Sequence, residues 1–169
     1  MALGLKKRGF SMLEMVVYVT ILATLFILVV NTILVVTGSY SSIKVSNTLN
    51  NSALMSLERL LLEIRNSKSI NLGSSVFGTH PGRLVLNTGT TSPASIDFYI
   101  EDGQLKLKKD NVLTGSLTSD NVSVTNFVLT NTSSTTSSSV KIELTLNASE
   151  GDISKTEKFY ASAVLRGSY

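Results

Sequence analysis

The chain has 169 residues, 43% of them apolar, enough for one small hydrophobic core and short of two. It has no cysteine and one histidine, His80. Disulfides, thiolate metal sites, thiol nucleophiles and His-based zinc clusters are thereby excluded, and a Ser-His-Asp triad would have to be built on His80. The formal charge of +3 resides in Lys6, Lys7 and Arg8, because outside residues 1–9 twelve basic side chains face twelve acidic ones. The basic balance therefore argues little for nucleic acid as a partner.

The first predicted element is the run FSMLEMVVYVTILATLFILVVNTILVVT, residues 10–37, which contains no proline, no glycine and one charge, Glu14. As a helix it would extend roughly 42 Å, more than the roughly 30 Å hydrocarbon core of a bilayer. No A-x-A cleavage pattern closes it, so an uncleaved membrane anchor fits better than an ordinary signal peptide. The preceding basic residues predict a cytoplasmic N-terminus and an extracytoplasmic remainder. A carboxylate at membrane depth costs about 2.5–3.5 kcal/mol and calls for a partner or a place near the interface, where the helix dipole also favours it.

The join KKRGFSMLEM sets a basic tripeptide, a glycine, an aromatic residue and a glutamate in fixed order. It resembles the leader of type IV pilins and type II secretion pseudopilins. The resemblance implies a leader of residues 1–9, with Lys6, Lys7 and Arg8 as its basic part. It also implies cleavage between Gly9 and Phe10 by a prepilin peptidase, N-methylation of Phe10, and assembly through Glu14 as the family's fifth-position glutamate. A glycine before the cut suits a protease that must approach the main chain closely. The new amine, with an unperturbed pKa of about 7.7–8, would share one apolar layer with the Glu14 carboxylate.

After Gly38 a helical pattern continues through Ile43, Leu49 or Asn50, Ala53, Leu54, Leu57, Leu60, Leu61 and Ile64, with most charges off the stripe. Without an internal proline, residues 10–67 can form one helix, membrane-compatible over 10–37 and amphipathic over 38–67. Gly38 is the expected bend, and Asn31 stands near where many pilins carry a proline. The stripe should pack on a sheet made from residues 68–169.

Residues 66–82 read as a loop and 83–87 as a short strand. Ile96, Phe98 and Ile100 alternate with polar residues, and Asp102-Gly103 separates them from Leu105 and Leu107, a hairpin signal. Val122 and Val124 are out of phase with Phe127 and Leu129, which predicts a bulge near Asn126. The stretch from Asn131 to Ser139 reads as an exposed loop. Val140, Ile142, Leu144 and Leu146 form a clear strand, and Phe159, Ala161, Ala163 and Leu165 a last one. The expected fold is α+β, a long N-terminal helix on an antiparallel sheet, which is similar to pilins.

No P-loop, paired-glycine or H-E-x-x-H motif is present. His80 before Pro81-Gly82 reads as a turn residue, and Glu150-Gly151-Asp152 and the other loop carboxylates as solvated turns, so neither metal nor cofactor is expected. Lys106, Lys108 and Lys109 beside Tyr99 could face DNA, but read better as lysines that discourage edge pairing. The expected function is non-enzymatic: a minor pilin or pseudopilin of a type IV pilus, competence pilus or type II secretion pseudopilus. The resemblance implies prepilin peptidase, other subunits and an inner-membrane assembly platform as partners. Storage in the bacterial inner membrane would precede assembly into an extracytoplasmic filament. The alternative is a signal-anchored adhesin or binding module that keeps residues 1–9.

Overall fold

The computed structural model describes residues 11–132 and 138–165. One helix, α1 (Met12–Asn66), is followed by eight strands, and the chain divides into two compact units at Ser41/Ser42. In the first unit, all residues from 11 to 40 are exposed, although most are apolar. This part of α1 is long and apolar enough to cross a membrane, and none of its apolar window is buried within the protein. Thr20, Thr24 and Thr32 turn their hydroxyls back onto helix carbonyls, at 2.8 Å from Val17, Thr20 and Leu28 respectively. Gly38, the expected bend, is helical.

In the second unit the helix buries Val45, Leu49, Ser52, Ala53, Ser56, Leu60, Glu63 and Ile64. Their three- and four-residue steps make one face, each fully buried Leu or Ile contributing about 1.5–3 kcal/mol. The expected stripe is thus shifted. Ile43 and Leu54 are each 60% exposed, and three polar residues take places on the buried face. Ser52 and Ser56 are small enough to let the 117–119 segment approach closely: Ser52 Oγ lies 3.0 Å from Ser119 Oγ, and Ser56 Oγ donates to the Leu117 carbonyl at 2.9 Å. Glu63 is buried because Arg59, one turn earlier, and Lys109 reach it at 2.5 and 3.3 Å.

Where one sheet was expected, the described strands form two, both antiparallel. The larger runs in the order β1 (Ser69–Ile70), β2 (Leu84–Asn87), β3 (Ser95–Glu101), β4 (Gln104–Lys109) and β5 (Val112–Ser116); the smaller comprises β6 (Val122–Asn131), β7 (Ser139–Glu150) and β8 (Ile153–Val164). The Asp102-Gly103 turn has φ of 54° and 72°, as the tight hairpin requires. The register shift between Val124 and Asn126 is the expected bulge. Of the loop expected between Asn131 and Ser139, residues 133–137 lie outside the described residues.

Three strands differ from expectation. β1 lies within the stretch 66–82 that was read as a loop, and pairs with β2. β5 is mostly exposed and lacks alternation; a second tight turn at Asp110-Asn111, with φ of 50° and 65°, creates it. β8 begins at Ile153, not near Phe159, because its inward positions there are Lys155 and Glu157, which hide the apolar pattern. Lys155 Nζ reaches Ser46 Oγ of α1 at 3.2 Å, and Lys44 pairs with Glu150 at 2.5 Å, so the far end of the β7–β8 hairpin is tied to the helix by polar contacts.

A polar seam joins the sheets. Val124 N–H donates to the Gly103 carbonyl at 2.7 Å, and further along β6 the loop before β2 continues the seam. Gly78 N–H donates to the Leu129 carbonyl and Gly82 N–H to the Phe127 carbonyl, each at 2.9 Å. Alternating apolar residues of β2–β4 and β6–β7 then meet the helix stripe in one core, with Phe98 and Phe127 its largest fully buried side chains.

Candidate functional site

Glu14 is the one residue of the expected processing and assembly set that falls within the described residues; Lys6, Lys7, Arg8, Gly9 and Phe10 lie outside them. It occupies the first turn of α1, exposed, where the positive helix end favours a carboxylate. Tyr18, one turn later, donates its hydroxyl to Glu14 Oε1 at 3.1 Å. That tyrosine was not singled out from the sequence, although its i,i+4 spacing is the available signal. The pair leaves the other carboxylate oxygen for an external cation. Around it Met12, Leu13, Met15 and Val16 are all at least 60% exposed, so the carboxylate stands in an apolar surface.

His80 does not stand in a catalytic arrangement. Its Nδ1 accepts the Phe127 N–H at 3.0 Å, so it latches the loop before β2 onto β6. This bond places the neutral ring's proton on Nε2. It fills the step of the seam between the Gly78 and Gly82 bonds, as a main-chain carbonyl would.

The three lysines of the suggested basic face go to three different partners. Lys106 bonds Glu101 and Asp102, each at 3.0 Å. Those bonds, Glu101 first, raise its pKa above the ordinary lysine value. Lys109 turns to Glu63, and Lys108 lies over the Tyr99 ring at 4.1 Å from its centroid. The shared strand therefore does not gather them into one uncompensated patch.

Beside Lys108 is an open cleft of about 300 Å³, walled by Val76, Pro81 and Gly82 and floored by Tyr99 and Ile100. Arg83 and Asp97 cross it with a two-bond fork, Nε to Oδ1 at 3.0 Å and Nη2 to Oδ2 at 2.6 Å. The hydrogen bond to Asp97 raises the Arg83 pKa above its ordinary value against the opposing effect of burial. The fork leaves neither group as a free acid or base. Two further acidic side chains also serve structure: Asp110 Oδ1 accepts the N–H groups of Ala94 and Ser95 at 2.7 and 2.9 Å, and Asp120 accepts from Gln104 at 3.1 Å. Among the described residues no three His, Asp or Glu side chains are grouped to hold a metal ion.

The most distinctive surface is thus the apolar helix with its single carboxylate. The sequence matches no family model, no curated protein and no solved structure.

Proposed function

We propose that the chain is a structural subunit of a type IV pilus-like filament, a minor pilin or pseudopilin held in a bacterial inner membrane until assembly. The observation that carries this reading is the join KKRGFSMLEM, placed where a basic leader meets an apolar helix whose one charge is Glu14. A prepilin peptidase cuts after Gly9 and methylates the Phe10 amine. The new N-terminus is cationic, and Glu14 of an incoming subunit pairs with that of a neighbour. In an apolar layer, leaving either ion unpaired costs several kcal/mol, whereas forming the pair repays only part of the desolvation. Glu14 therefore penalises wrong axial offsets, while helix packing supplies most of the assembly energy. The α+β body, with its helix-on-sheet core beginning after Ser41, agrees with this reading.

The test is the intact mass and N-terminal residue of the protein from its native membrane or from sheared filaments. An N-methylated Phe10 start is expected. A start at Met1 or Ala2 in cells with active prepilin peptidase would overturn it and favour the signal-anchored module.

A further inference from the structure

Asn31 is a polar group that the filament reading leaves unused. It lies in the membrane-compatible part of α1, exposed, and its carboxamide has no hydrogen-bond partner among the described residues. The hydroxyls near it differ: those of Thr24, Thr32 and Thr37 each bond a carbonyl of their own helix. A carboxamide facing hydrocarbon without a partner is unfavourable, and such side chains bond across to neighbouring helices.

We propose that this segment associates in the bilayer with a second copy of the chain as a parallel, in-register pair, Asn31 against Asn31. The inference rests on the membrane-spanning reading above. One leader charge pattern gives every copy the same orientation, so the two asparagines lie at the same depth. A carboxamide both donates and accepts, so two of them satisfy each other reciprocally. Ile27 and Leu34, four residues before and three after Asn31, share its face and flank the contact. Val29 and Val36 fall on the opposite side, toward lipid. This pair differs from the proposed filament contact, in which Glu14 of one copy meets the N-terminus of another and the two helices are offset along their axes. It is a storage state of the membrane pool, released on assembly.

The absence of cysteine makes the test direct. Single variants Ile27→Cys, Leu34→Cys, Val29→Cys and Val36→Cys of the full chain are expressed in cells lacking prepilin peptidase and other pilin-like proteins, and isolated membranes are oxidised with copper phenanthroline. Disulfide dimers of twice the chain mass are expected at positions 27 and 34 and not at 29 and 36. Adding Asn31→Leu to Ile27→Cys should lower the dimer fraction by about tenfold, while Asn31→Gln should retain most of it. Equal cross-linking at all four positions, cross-linking that survives Asn31→Leu, or a membrane-embedded chain that does not cross-link would each overturn the pair while leaving the anchor intact. Release of the chain by alkaline extraction would overturn the membrane-spanning reading and the pair with it.

Discussion

At Gly82 the seam leaves no room for a side chain. A Cβ built there would sit 2.8 Å from the Phe127 carbonyl oxygen, the atom that its own N–H bonds. Gly82→Ala therefore has to open the seam, and we expect a loss of about 1–3 kcal/mol in denaturant unfolding. Gly73→Ala meets nothing nearer than 3.7 Å and should be close to neutral; equal effects at the two glycines would remove the argument. Lys106 provides the pH-dependent case. Its pKa is raised by Glu101 and Asp102, so the stability it contributes is fully present below the unfolded lysine value, about 10.4, and is lost as pH rises through the higher folded one. The stability difference between the wild type and Lys106→Met should stay level from about pH 7 to pH 9 and close in the alkaline range. Closure below about pH 9 would contradict this assignment.

At the scale of elements, the contrast lies within two turns of α1. Leu60 is fully buried, and Leu60→Ala should cost about 2–5 kcal/mol, whereas Leu54, 60% exposed, should lose less than about 0.5 kcal/mol on the same change. Thermal unfolding of the two variants checks both. From sequence, the two leucines looked alike. The 3.6-residue period announces the helix but fixes its buried direction only to within a residue or so, and here Ser52, Ser56 and Glu63 rotate the face. Their buried places depend on Leu117, Ser119 and Lys109, partners far along the chain that no local pattern reveals. The strands divide in the same way. β3, β4 and β7 were legible because inward apolar residues alternate with polar ones, and the bulge near Asn126 because that alternation slips by one. The Asp110-Asn111 turn carried a readable signal, two residues that tolerate positive φ, but β5 after it does not alternate. The arrangement in two sheets was not legible, since the seam that joins them depends on bonds of Gly78, His80 and Gly82 to β6, partners far along the chain.

At the scale of the whole molecule, two sets of residues have separate tasks. No residue of the described part of the first unit belongs to the buried core, which begins at Val45. Glu14→Ala should therefore leave the thermal midpoint of the β-rich unit unchanged. If the chain is processed as proposed, the same substitution leaves Gly9 and Phe10 in place, so cleavage should proceed. On the filament reading proposed above, it would remove the carboxylate whose other oxygen would meet a neighbour's N-terminal ammonium, and would leave that ammonium unpaired in an apolar layer. With about 2.5–3.5 kcal/mol at stake for an ion at membrane depth, incorporation into filaments should fall by roughly two orders of magnitude. Glu14→Asp keeps the charge but withdraws it by one methylene, and should fall between the two. The measurement is the ratio of cleaved subunit in sheared filaments to that in the membrane. A ratio unchanged by Glu14→Ala would mean that the carboxylate serves α1 alone, through the helix dipole and Tyr18, and the pairing mechanism would have to be abandoned.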